Sequence, residues 1–190
     1  MNPKRIHVKL FLEDPQSAPA DTVFQIFNNW IADTPDEVLI DVADYSHIHN
    51  GPITLLIGHQ ADYSIDNTNA EMGLLYCSKQ ALEGDLAAQL RQVVTAALKA
   101  CRRLEDDPML QGKAKFNGEL EIVANDRLNF PNTPTALETF QTALETGLDN
   151  LYGDADFTIE NTSSPSNLPS LRVRGEGTHN ISSLLDNLGG

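Results

Sequence analysis

Apolar and polar residues alternate from the first residues of the chain. Over residues 5–13, Ile6, Val8, Leu10 and Leu12 share one face, and His7, Lys9, Phe11 and Glu13 the other. That period of two predicts a half-buried strand, which Asp14-Pro15 stops. From Pro19 the period lengthens. Val23, Phe24, Phe27, Trp30 and Ile31 recur at helical spacing, Asp21 falls in the first turn, and Thr34-Pro35-Asp36 closes a helix predicted over 20–32. Val38 to Val42 is a nearly continuous apolar run holding one acid, which reads as a central strand buried on both faces.

Shorter runs follow. Asn50-Gly51-Pro52 signals a turn, and Ile53–Ile57, Ala61–Ile65 and Met72–Cys77 read as successive strands of an antiparallel meander. The longest helix is predicted over 82–105, with a stripe that runs from Leu82 through Leu90, Val94 and Leu98 to Leu104. Lys99, Arg102 and Arg103 near its end complement the helix dipole.

After a polar stretch at 106–115 the order restarts. A strand is predicted at 116–125, a loop from Asn125 to Asn132, and a helix over 134–151 opened by Thr133 as cap and Pro134 in the first turn. Phe157 and Ile159 mark a strand, 163–169 a loop, Leu171–Arg174 a strand, and 180–188 a short helix before Gly189-Gly190. The expected fold is α+β: an antiparallel or mixed sheet with two long helices packed on one face. Strand, helix, strands, helix occurs twice, so the expectation includes a duplicated β-α-β-β (ferredoxin-like) unit. Residues 1–105 form the first unit, 116–190 the second and 106–115 the linker, packed together as one globule.

Composition narrows the function classes. The formal charge of -14 over 190 residues disfavours nucleic acid and anionic lipid, and favours cations and basic protein partners. No apolar run approaches the ~20 residues that span a bilayer. The charged start and the apolar patch after it resemble a signal peptide, but Lys9 interrupts the patch and no small-residue cleavage site follows. Cys77 and Cys101 form neither a disulfide framework nor a C-x-x-C pair. The expectation is a soluble cytoplasmic protein with reduced thiols, no nucleic-acid partner and no membrane association.

Candidate chemistry gathers between residues 44 and 62. Asp44, His47, His49, His59 and Asp62 include three of the five histidines. If the strands around Asn50-Gly51-Pro52 bring them together, imidazole and carboxylate form a set suited to a divalent transition metal such as zinc, iron or manganese. Without metal, His59 with Asp62, or His47 with Asp44, makes an acid–base pair, for which no local nucleophile motif is present. Tyr45, Tyr63, Tyr76 and Tyr152 are candidate anchors for a partner. Lys99, Arg102, Arg103, Lys113 and Lys115 make a local basic patch, which the helix dipole already explains. The leading expectation is a non-catalytic, self-associating protein that binds a partner or small ligand. The alternative is a metal-dependent protein, with hydrolysis as one chemistry open to it, that uses the histidine–aspartate set.

Overall fold

A computed structural model describes residues 2–163 and 167–189. The middle of the loop expected at 163–169 and the terminal Gly190 lie outside the described residues. Within them the protein is an α+β fold with an eight-stranded antiparallel sheet and four helices. In chain order these are β1 (Ile6–Leu12), α1 (Ala20–Asp33), β2 (Leu39–Asp44), β3 (Pro52–Gly58), β4 (Ala61–Asp66), β5 (Gly73–Ser78) and α2 (Leu86–Glu105). Then come β6 (Phe116–Ala124), α3 (Pro134–Gly147), β7 (Phe157–Asn161), β8 (Ser170–Gly175) and α4 (Ile181–Asn187). The strand order across the sheet is β2-β3-β4-β5-β1-β6-β8-β7.

One apolar row of this sheet builds the core. Val8 pairs with Tyr76 on one side and Ile122 on the other, and Ile122 in turn with Leu171. All are buried. α2 touches β1 and β5, and also α3 and α4. Phe27, Trp30, Leu90 and Leu144 are buried, as their periodic positions require. Residues 106–115 are not bare: a single 3-10 turn spans Pro108–Leu110, and Leu110 and Ala114 are buried.

Helix ends follow local chemistry more closely than hydrophobic period. α2 starts at Leu86, because Asp85 caps it by accepting from the Ala88 N–H. Leu82 therefore packs on the core from a loop. Thr133 accepts from the Ala136 N–H at the start of α3. α3 ends at Gly147, whose missing side chain matters: a Cβ there would stand 2.5 Å from the Ala87 carbonyl oxygen of α2. Leu148 and Leu151 lie beyond the helix yet are fully buried, so the expected stripe continues into a turn.

Two strand expectations need correction. β2 is an edge strand, with β3 its sole neighbour. Its register against β3 shifts between Leu39 and Asp41, which makes Ile40 the extra residue of a bulge and leaves it 59% exposed. The apolar run was real, but the bulge turned part of it outward. In β1 the polar face is not wet. Lys9 and Phe11 are buried, and Lys9 Nζ lies 2.6 Å from Asp66 Oδ1. Arg172 of β8 reaches across this face. Its guanidinium sits 4.2 Å over the Phe11 ring, pairs with Glu119 and forms a bidentate contact with Glu71 at 3.1 and 2.8 Å.

Candidate functional site

The five residues singled out between 44 and 62 fall into two groups. Asp44, His47 and His49 sit at the end of β2 and in the loop to β3, where Asp44 pairs with Thr54. His59 and Asp62 sit at the opposite end of β3, where Leu39 pairs with Gly58. A strand of that length separates the groups by about 20 Å. The side chains point into different surroundings too. Asp44 Oδ1 accepts from the Ser46 N–H, and hydrogen bonds from Ser46 hold its carboxyl below the ordinary range. Asp62 is paired with Lys79 at 3.0 Å and accepts from the Gly58 N–H. His59 contacts Gln80, and all three histidines are exposed. The expected convergence on one ion does not form. Among the described residues no group of three or more His, Cys, Asp or Glu side chains is placed to hold a metal.

A different set does converge, where α1 and α2 meet the β2 side of the sheet. A cavity of about 230 Å³ is lined by Trp30, Glu37, Leu39, Tyr63, Lys99 and Arg103, with Ala96 and Ala100 beside the cations on α2. Local sequence explains each wall. Thr34-Pro35-Asp36 breaks α1 and turns the chain back, so Glu37 lies near Trp30 of the same helix. Ala96, Lys99, Ala100 and Arg103 follow helical spacing and form one stripe of α2. Tyr63 projects from β4 on the row that also carries Tyr76 and Leu56.

The walls hold each other in place. Trp30 packs on Phe27 with ring centroids 5.1 Å apart and meets Tyr63 edge-on at 6.1 Å. The Arg103 guanidinium lies 4.4 Å over the indole, and its Nη1 donates to Thr34 Oγ1 at 2.6 Å. The Tyr63 hydroxyl donates to Glu37 Oε2 at 2.7 Å. The other carboxylate oxygen, Glu37 Oε1, is buried and has no hydrogen-bond partner. Burial pushes the Glu37 carboxyl above its ordinary range, against the pull of Tyr63 and Arg103. Burial, then the Glu37 hydrogen bond, raises the Tyr63 phenol well above the tyrosine range. Burial lowers the Arg103 guanidinium. The site therefore joins a flat aromatic wall, an acid short of a donor and two cations, within a space sized for one small molecule.

The remaining candidates have other partners. Lys115 and Arg102 of the expected basic patch lie 3.7 Å from Glu105 and Asp106 respectively. Tyr76 and Tyr152 are buried, and Tyr152 donates to the Gly118 and Val173 carbonyls. Cys101 is fully buried in α2, and burial raises both thiols, Cys77 to about 12. In the 125–132 loop, Asp126 accepts from the Lys4 N–H and from Asn129, which holds its carboxyl down at about 2. Trp30 and the cations were visible in the sequence. Their convergence on one site was not visible there, because Glu37, Tyr63 and the α2 cations come together only through the fold. No protein-family model matches the chain, and no curated protein is similar to it.

Proposed function

We propose that this protein is a non-catalytic binding protein whose ligand is a small molecule held in the Trp30 cavity. The observation that carries the reading is Glu37 Oε1, a buried carboxylate oxygen without a donor. Leaving such an acceptor unpaired costs about 1–3 kcal/mol or more for a charged group, and a ligand N–H would recover it. Lys99 and Arg103, on the same lining, offer donors to an acceptor or anion. The ligand class is a compact molecule with a flat body that carries both an N–H donor and a carboxylate or similar group. In architecture, this reading keeps the long helices on the face that buries Val8 and Ile122. It also keeps a doubled unit. β1 and β6 meet in the middle of the sheet, and β5-β4 outside the one answers β8-β7 outside the other.

Trp30 is the chain's single tryptophan, so its emission reports directly on the cavity. A titration with small aromatic carboxylates that also carry an amine, 4-aminobenzoate among them, is expected to change that emission saturably. Aniline and benzoate, each lacking one of the two groups, should bind weakly. Glu37→Gln should weaken the amino-carboxylates by about tenfold, the equivalent of one hydrogen bond to a charged group. A panel in which no compound moves the emission removes the cavity as a ligand site.

A further inference from the structure

We infer that the free edge of β2 is a docking site for a basic, extended segment of another protein, which adds to the sheet as a ninth strand. This rests on different residues from the cavity reading and stands without it. Charge provides the first observation. From Leu10 to Ser78 the sequence contains no lysine or arginine, while aspartate and glutamate recur throughout. In that span Asp62, Asp66 and Glu71 pair with Lys79, Lys9 and Arg172 from outside it, and Asp33 and Glu37 interact with Arg103. Asp36, Asp41 and Asp44, along the β2 edge, are exposed.

Apolar exposure provides the second. Val38 and Ile40 are each 59% exposed, and Tyr45, just past the end of the same strand, is exposed as well. The opposite edge differs. β7 presents Thr158 and Glu160 to solvent, and Arg174 of β8 stands 3.5 Å from Glu160. Only one end of the sheet therefore combines apolar contact with uncompensated negative charge.

The backbone pattern adds a latch. The Tyr45 N–H donates to the Ile53 carbonyl, so alternation directs Ala43 and Asp41 toward β3 and leaves Val42 pointing outward. The outward Val42 N–H is covered by the Asp41 carboxylate, its neighbour in sequence, at 2.8 Å. An incoming lysine or arginine draws Asp41 away and frees that amide for a ladder hydrogen bond. Basic strands thus open the edge and neutral ones do not. A second copy of this chain, the self-association expected from sequence, would set Asp36, Asp41 and Asp44 against their own equivalents. The charge pattern therefore selects a basic partner over a copy.

The probe is a nine-residue peptide alternating lysine and valine, blocked at both ends, with a glutamate–valine peptide and a proline-interrupted lysine–valine peptide as controls. The first should bind one per chain, slow amide exchange at Leu39–Asp44 but not in β7, and weaken as salt rises. Ile40→Lys and Asp41→Lys should each reduce affinity by about tenfold or more. Glu160→Lys, with the same charge change as Asp41→Lys on the far edge, should leave it within about twofold. Equal binding of the proline-interrupted peptide, or exchange protection elsewhere, would show attraction by charge alone and overturn the proposal. A dimer in light scattering that Ile40→Lys dissolves, and that excludes the peptide, would assign the edge to a second copy instead.

Discussion

Replacing Lys9 by methionine tests the interior of the sheet. The substitution keeps the length of the chain and removes the charge. Lys9 and Asp66 side chains are 5% and 4% exposed, so neither partner can turn to water. Breaking a buried pair from one side costs about 3–5 kcal/mol, because the remaining charge is stranded. Here Asp66 would keep two donors, the Thr68 N–H and its hydroxyl, both at 3.0 Å. That places the expected loss near the lower end, about 3 kcal/mol, or roughly 6–12 °C in Tm for a chain of this size. A urea melt with unchanged slope measures it. Adding Asp66→Asn to Lys9→Met removes the stranded charge and should restore most of the stability. A Lys9→Met loss under about 1 kcal/mol, or a double variant as unstable as the single one, would show that this pair is not what the face depends on.

Two further predictions concern positions where packing and charge meet. Burial, with Arg5 adding to it, lowers His7 to about 4, and Asn125 Nδ2 lies 2.8 Å from its Nε2. The unfolded chain takes up that proton first, so stability should fall as pH drops from about 6.5 to 4 and flatten below. His7→Gln should remove up to about 3 kcal/mol of that pH dependence, and a variant whose acid profile matches the parent's refutes the assignment. Gly147→Ala forces a methyl onto the Ala87 carbonyl and should cost about 1–3 kcal/mol by urea melt; a neutral result would mean that α2 and α3 separate freely there.

Most of the elements were legible because period and punctuation agree. Thr133-Pro134 marked the start of α3 by capping chemistry, and β1 was legible from Ile6, Val8 and Leu10 alone. The failures have physical causes. Val38 to Val42 reads as a central strand because the sequence shows apolarity, whereas edge position depends on which strands pair, and a one-residue bulge sent Ile40 outward. Alternation in β1 separates two faces and does not show that the one carrying Lys9 is covered. The burial of Lys9 depends on Asp66, 57 residues away, and on an arm from Arg172, still farther along the chain. The spread of the histidines has the same cause. His49 and His59 are neighbours in sequence, but an extended strand between them carries them to opposite ends of the sheet.

Several departures from ordinary packing share the α1–β2 end of the molecule, apart from the exposed Leu128 and Met109. Among the described residues, the buried side-chain atoms without a partner are Glu37 Oε1 and Thr54 Oγ1 on the β2–β3 side and Gln89 Oε1 in α2. Val38 and Ile40 are exposed on the same side, and the cation-free stretch runs through it. A sequence selected for stability alone would fill the space beside Ala96 and Ala100, supply a donor to Glu37, and place a lysine on the exposed edge. The rest of the sheet behaves in that way: Arg172 and Arg174 pair with Glu119, and the β7 edge is polar. Local rules that are kept across most of a molecule and broken together at one end point to a demand there other than folding. The α1–β2 end is accordingly where binding should be sought, in the cavity for a small molecule and along the edge for a basic strand.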